Sequence, residues 1–304
     1  MSTVRTMTAA IDDAIDDGDS LYLAGFTHLI PFAAGHEIIR QDYRDLELIR
    51  ATPDLVYDQL IAAGCVSKVT FSWAGNPGVG SLRAFRRAVE DGVPNEIELE
   101  EYTHYGLTAR LHAGAAALPF MPVRTFTGSD LVEHNDRIRS VRNPYDGTDE
   151  IAVVPPLNPD VAVVSAQRAD EEGNAHLWGI HGEQKEAALA ADTVVLCVEE
   201  QCSTETVRSD PNRTFVTARD VDHVVEVPYG AHPSYAQGYY DRDNEAYIEW
   251  DEISKSHEDT LEWLDEWVYG VENRREYLEK LPSERLLELG VNTAYGTPID
   301  MGAY

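Results

Sequence analysis

Apolar and polar positions alternate along the chain in a repeating order. Six short runs rich in β-branched and aliphatic residues read as strands: SLYLAGF (20–26), LELIRA (46–51), KVTFSWAG (68–75), DVAVVSAQ (160–167), DTVVLCVEE (192–200) and HVVEVP (223–228). Between and around them, apolar residues recur at helical spacing over 8–16, 31–41, 54–63, 80–91, 105–117, 182–190 and 253–280. Strands alternating with helices predict an α/β fold, a mostly parallel sheet covered by helices on both faces. Ligands of such sheets bind beyond the carboxyl ends of the strands, in the loops that lead to helices. Three strand ends run into loops of interest, at Thr27–Pro31, Asn76–Gly80 and Arg168–Asn174.

The pattern predicts one domain over residues 1–304, with a helical C-terminal region from about 232 to 304 packed on it. The stretch 143–159, rich in Pro, Gly and Asp, reads as an excursion between two halves. Within 253–280 the spacing puts Leu261, Leu264, Val268 and Val271 on one helix face, with Trp267 at its edge. Such a stripe, acidic on its reverse, suits packing against the main body or against a partner subunit.

Hydrophobic residues make up 43 % of the 304, enough for a normal packed interior. No run approaches the roughly 18–20 apolar residues that a membrane-crossing helix needs. The first twenty residues are acidic and lack the basic start and apolar run of a signal peptide. We therefore expect a cytoplasmic protein without a membrane partner. Cys65, Cys197 and Cys202 cannot build a disulfide framework and form no CxxC pair, so they read as reduced thiols.

Charge changes the picture most. Against 54 acidic residues stand 24 basic ones, a net charge of −30, and only Lys68, Lys185, Lys255 and Lys280 are lysines. This surplus repels phosphates and excludes a nucleic-acid partner. The acids are spread along the chain rather than gathered in a tail. Distributed acid with few lysines reads as a halophilic surface, screened by concentrated salt.

The glycines of Gly75-x-x-Gly78-x-Gly80 follow a strand, but their spacing is not that of a dinucleotide loop, and Pro77 removes an amide. No P-loop, GxSxG elbow or HExxH motif is present. His176 and His181 lack a carboxylate pair beside them, and no metal site is expected. Two segments carry more. Asp17–Pro31 is a turn, a buried strand and a tight bend at Gly25, with a proline opening the next helix, and a backbone so exposed can offer amides to a carbonyl or thioester oxygen. In Glu101–Leu111, Thr103 suits the cap of a helix, whereas a capped helix gives no reason for His104.

These segments resemble a known family. DGDSLYLAGFTHLIP is similar to the A-type signature of class I CoA-transferases, an Asp-Gly turn, three apolar residues, Gly-Gly-Phe and a downstream proline. It departs where Ala24 replaces the first glycine, Tyr22 interrupts the aliphatic run and Ile30 precedes the proline. EYTHYGLTARLHAGAAALPFMPVRTFTGSDL, DEEGNAHLWG, VEEQCSTETVRSDPNRT and VDHVVEVPYGAHPS resemble the glutaconate CoA-transferase alpha group, so that the likeness covers about 10–270 in order.

The resemblance implies a fold shared with ribose-5-phosphate isomerase-like proteins and a B-type partner in an A2B2 or larger assembly. It also implies ping-pong transfer of CoA through a glutamyl-CoA intermediate, with coenzyme A thioester as substrate and no permanently bound cofactor. The nucleophilic glutamate of two-chain members lies in the B-type chain, so no catalytic residue is assigned to this chain, Glu199 and Glu200 included. The residues expected to line the substrate are Gly25, Phe26, Thr27, His28, Gly75, Asn76, Thr103 and His104, with His104 the candidate auxiliary. A steroid-ring-opening CoA hydrolase is the alternative. That group has its glutamate in the segment matching 101–106, where His104 stands here unless Glu100 or Glu101 substitutes. A non-catalytic binding or scaffold subunit is a third reading.

Overall fold

The computed structural model describes residues 3–145, 147 and 149–291. Eight strands form one parallel sheet, in the order Thr3–Val4, His223–Glu226, Thr193–Gln201, Val161–Ala169, Ser20–Leu23, Leu46–Ile49, Val66–Phe71 and Glu98–Glu101. A short antiparallel strand, Ala175–His176, folds back on Val161–Ala169. The two halves of the chain add strands in opposite directions from the pair Ser20–Leu23 and Val161–Ala169. That pair is the switch point at which open α/β sheets place their ligand crevice.

Successive side chains of a strand face opposite sides. Leu21, Leu23, Val161, Val163, Val195 and Cys197 enter one core, beneath the helices Met7–Ala14, Phe32–Arg40 and Leu55–Ala62. Their neighbours Tyr22, Ala162, Val164, Val194 and Leu196 enter the other, with Ala187 and Ala188 of the helix Gln184–Ala190. Both faces are therefore covered. Cys65 and Cys197 are buried and burial pushes both thiols up to about 12, while Cys202 is half-buried, and all three are free.

The excursion expected over 143–159 is in part a small sheet. Met121–Val123, Arg139–Arg142 and Glu150–Val154 pair antiparallel over a separate cluster of Tyr102, Leu107, Phe126 and Val154. Positions 146 and 148 of that stretch lie outside the described residues.

The single helix expected over 253–280 is broken. The chain forms Asn244–Ile253, His257–Leu264 with a wider turn at Asp265–Tyr269, Arg274–Lys280 and Ser283–Leu289. Two caps divide the run: Ser256 Oγ accepts the Asp259 amide and Asn273 Oδ1 accepts that of Glu276, each from extended backbone. Leu264, Val268 and Val271 are buried as expected, whereas Leu261 is 41 % exposed. Leu264 and Val268 join Tyr247 and Trp250 in the cluster that contains Leu55 and Ile61, and Trp250 Nε1 donates to Asp58 at 2.9 Å. The part of the tail beyond Val291 lies outside the described residues.

Since Leu264 shares the core of the sheet, Leu264→Ala should destabilise the whole chain by about 2–5 kcal/mol. Leu261→Ala should cost no more than about 0.5 kcal/mol. Urea unfolding followed by fluorescence and by circular dichroism reads both. Loss of the tail signal alone in Leu264→Ala would show that the helices are not part of that core.

Candidate active-site cleft

The carboxyl ends of four adjacent strands, Ser20–Leu23, Leu46–Ile49, Val66–Phe71 and Glu98–Glu101, lie side by side and release the loops of the candidate site. At its base Arg50 is fully buried and bonded on every side. Its guanidinium donates to Ala24 O at 3.2 Å and to Thr52 O, pairs with Asp54 at 2.7 Å and lies over the Tyr57 ring. Tyr57 Oη donates to Ile49 O at 2.7 Å. The ends of Ser20–Leu23 and Leu46–Ile49 are thereby held together.

Each strand then releases its loop. After Leu23 the chain bends at Gly25, whose φ is +99° and where a Cβ would lie 2.7 Å from His28 O and from the Ile30 side chain. Phe26 emerges half-buried, backed by Gly182, where a Cβ would come within 2.9 Å of its own. The amides of Ser72 and Trp73 leave the ladder to donate to Ala51 O, and that of Gly75 donates to Pro53 O. Thr103 caps the helix His104–Ala115: its Oγ1 accepts the Gly106 amide at 3.1 Å and the Thr125 hydroxyl at 2.8 Å. His104 is the first helical residue. It is exposed, meets the Phe26 ring edge-on at 6.4 Å between centroids, and has Nδ1 2.7 Å from Ser72 Oγ.

Glu183 closes the floor. Its side chain is buried and accepts the Ala51 amide at 2.9 Å. Burial raises its carboxyl above the usual range, against the pull of that amide and of Arg50.

Of the residues expected from sequence, Gly25, Phe26, Thr103 and His104 thus meet at the cleft. Thr27 sits beside them with a positive φ of 60°, its carbonyl accepting the Ser234 hydroxyl at 3.0 Å. Gly75 is buried, packed against the Trp73 ring. Two do not fit the expectation. His28 is fully buried, with Nδ1 3.0 Å from Ile180 O and Nε2 accepting the Gln237 amide at 3.1 Å. Burial lowers its pKa to about 4, so it is a neutral link between loops and does not face the cleft. Asn76 is buried in a turn closed on Gly80 and donates to Tyr247 O at 2.9 Å, which ties the turn to a C-terminal helix. Ser72, Glu183 and Arg50 were not among the expected residues. Ser72 could have been found as a polar residue at a strand end, but neither Glu183 nor Arg50 has a local signal.

Two of the acids singled out in the sequence are already occupied. Glu100 is bound by Lys68 Nζ at 2.7 Å, Arg110 Nη1 at 2.6 Å and Tyr102 Oη at 2.6 Å. Burial would raise its pKa, but these partners hold it below the usual carboxylate range. Glu199 is buried, accepts from Tyr240 Oη and from the Tyr229 amide, and is pushed by burial up to about 7. Glu200 and Glu101 are exposed. Among the described residues no group of three His, Cys, Asp or Glu could hold a metal ion, and no helix is long and apolar enough to cross a membrane.

Open parallel α/β sheets of this kind place their ligand crevice beyond the strand ends at the switch point. The coenzyme A transferase family model matches residues 4–227. The A-type chain of 3-oxoadipate CoA-transferase from Pseudomonas knackmussii is 47 % identical, over 92 % of this chain and 99 % of its own. The A-type chain of glutaconate CoA-transferase from Acidaminococcus fermentans is 34 % identical, and the crystal structure of that enzyme superposes with a TM-score of 0.92 over 99 % of both chains. The cholesterol ring-cleaving hydrolase IpdA subunit of Rhodococcus jostii is 28 % identical, over 90 % of this chain and 95 % of its own. The chain belongs to the class I CoA-transferase family, as a subunit of the A type.

Glu199 carries a pH prediction. Its folded pKa of about 7 lies above the 4.5 of a free glutamate, so the native state holds the extra proton. The associated stability is present below about pH 4.5 and is lost as pH rises through 7. At about 1.4 kcal/mol per unit the loss is on the order of 3 kcal/mol. The stability difference between wild type and Glu199→Gln, measured by denaturant titration at pH 5 and pH 8, should move in favour of the variant by that order. A difference that stays constant with pH would refute the assignment.

Proposed function

We propose that this chain pairs with a B-type subunit, in an A–B heterodimer or an A2B2 or larger assembly, and supplies one wall of a shared active site. The partner contributes the glutamate that attacks the acyl-CoA thioester. The anhydride formed is opened by CoA thiolate to a glutamyl-CoA thioester, and an acceptor acid reverses the steps. The observation that carries this reading is that Phe26, Ser72 and His104 gather at the strand ends and that, of the two acids closing the edge strand beside them, Glu100 is bound by Lys68 and Arg110 while Glu101 is exposed. The acid at the floor, Glu183, is buried and bound.

The wall consists of Gly25, Phe26, Thr27, Gly75, Thr103 and His104, with Asn76 and His28 holding its loops in place. The Gly25–Thr27 backbone lies at the switch point, where amides can face a tetrahedral oxyanion. Coenzyme A is bound only as substrate. The relatives named for 3-oxoadipate and glutaconate support a short dicarboxylic acid as the acyl group carried. The hydrolase reading loses support because His104 stands in the segment expected to hold that glutamate and Glu100 is locked by Lys68 and Arg110, which leaves the exposed Glu101 as its remaining candidate.

The charge of −30 with four lysines supports work in a salt-rich cytoplasm. Thermal unfolding should shift to higher temperature between about 0.1 M and 2 M potassium chloride, as self-repulsion is screened. An unchanged midpoint would remove the halophilic reading.

The division of labour is tested by co-expressing the chain with its neighbouring reading frame, adding acyl-CoA and trapping with borohydride or hydroxylamine. Mass spectrometry should place the modified glutamate on the partner. Modification of this chain, at Glu101 for example, or CoA transfer by this chain alone, would overturn it.

A further inference from the structure

When the nucleophile comes from the partner, the pair formed by Ser72 and His104 is free for another task at the wall it helps to form. We propose that His104, oriented by Ser72, receives the distal carboxylate of a dicarboxylic acyl group, and that the pair selects dicarboxylic over monocarboxylic acids. The inference rests on the reading of the chain as a CoA-transferase subunit.

A dicarboxylic monothioester has one end committed to the reacting glutamate and CoA. Its other end carries a charge that needs hydrogen-bond donors on the facing wall. Donors there are few. Arg50 is fully buried and its guanidinium is engaged with Asp54, Thr52 O and Ala24 O. Thr103 Oγ1 accepts from Gly106 and from Thr125, which leaves it only its own hydroxyl proton to give. His104 is exposed, and among the described residues its Nε2 has no hydrogen-bond partner.

The contact at 2.7 Å between Ser72 Oγ and Nδ1 orients the ring and lets Nε2 act as the donor. A serine hydroxyl rotates freely and can either donate or accept. When it donates to Nδ1, the neutral ring carries its proton on Nε2. When the ring is protonated, Nδ1–H donates to Ser72 and Nε2 still bears a proton. In both arrangements Nε2–H is a donor, which is what a carboxylate requires. The remaining tautomer, a neutral ring whose Nδ1–H donates to Ser72, leaves Nε2 an acceptor, and a bound carboxylate selects against it. Phe26, edge-on to the imidazole, gives an apolar side wall on which the methylene chain between the two carboxyls can lie. Ser72 leaves one strand and His104 opens the helix after the next, so the pair spans two neighbouring strand ends. Its geometry is set by the sheet rather than by one flexible loop.

The test compares acceptor acids in the purified complex of this chain with its partner subunit, using one acyl-CoA donor, and glutarate against butyrate as acceptors. Loss of a hydrogen bond to a charged group is expected to raise the KM for glutarate roughly ten- to a hundredfold in His104→Phe and His104→Ala. The KM for butyrate should move at least tenfold less. His104→Gln, which keeps a donor, should recover part of the loss. Ser72 is a positioning residue: Ser72→Ala should raise the KM for glutarate more than that for butyrate, and Ser72→Thr should restore it. Equal losses for both acids, or an unchanged KM for glutarate in both His104→Phe and His104→Ala, would overturn the inference and leave the transferase reading intact. Failure of the wild-type complex to transfer CoA to any acid overturns the reading, and the inference with it.

Discussion

The cleft depends on one buried guanidinium. Arg50 follows the strand Leu46–Ile49 directly, and its side chain reaches across to Ala24 O at the end of the neighbouring strand while pairing with Asp54 at the start of the next helix. Taking that charge out of water costs several kcal/mol unless its donors find acceptors. Here Asp54, Thr52 O and Ala24 O supply them, and the Tyr57 ring covers the flat face. Removing one member would leave the others buried and unpaired, so the group acts as a unit. What it fixes is the relative height of two strand ends, and with them the loops that carry Phe26 and Ala51.

From that base the site is built by loops bonding one another's backbones. Ala51 is the common anchor: its carbonyl accepts from Ser72 and Trp73, and its amide donates to Glu183. Three chain segments distant in sequence are thereby brought to one residue, and each bond is shielded by burial. His28 extends the same scheme on the other side, joining its own loop to Ile180 and Gln237 through a neutral ring. The histidine that looked like a substrate contact is therefore what holds the Gly25–Thr27 turn in place. A buried imidazole with both nitrogens satisfied is a rigid spacer.

The parallel strands were legible because they are buried on both faces and read as continuous apolar runs. Their ends were not. KVTFSWAG extends beyond the observed strand because Ser72 and Trp73 turn their amides to Ala51, a long-range choice that no local pattern records. The edge strand Glu98–Glu101 escaped because three of its four residues are acidic, and it pairs on one side only. The small sheet escaped for a related reason. All four residues of Arg139–Arg142 are exposed and Met121–Val123 contains Pro122, so neither shows a period of two. In the tail, the caps at Ser256 and Asn273 were present in the sequence, but the long apolar stripe masked them. Phe26, Thr103 and His104 were found because they lie in segments with family likeness. Ser72 had a signal as a polar residue at a strand end, whereas Glu183 and Arg50 depend on contacts that exist only once the strands are side by side.

The placement of the acids bears on how a shared active site can be divided between two chains. A nucleophilic carboxylate must be ionised and accessible, with hydrogen bonds that leave an oxygen free to attack. Glu199, pushed up to about 7 and bonded by Tyr240 and Tyr229, does not meet that condition. Glu100 fails it in the opposite way, since its cationic partners stabilise the charge but occupy the oxygens. Both carboxylates serve the fold, one by pinning the turn at Tyr229–Ala231 and the other by joining the edge strand to the helix behind it. With Glu100 and Glu199 committed to structure and Glu101 the acid left exposed at its edge, this wall of the cleft offers donors and an aromatic face. That is the chemistry needed opposite a carboxylate nucleophile, where a second negative charge would raise the barrier to attack on an anionic substrate.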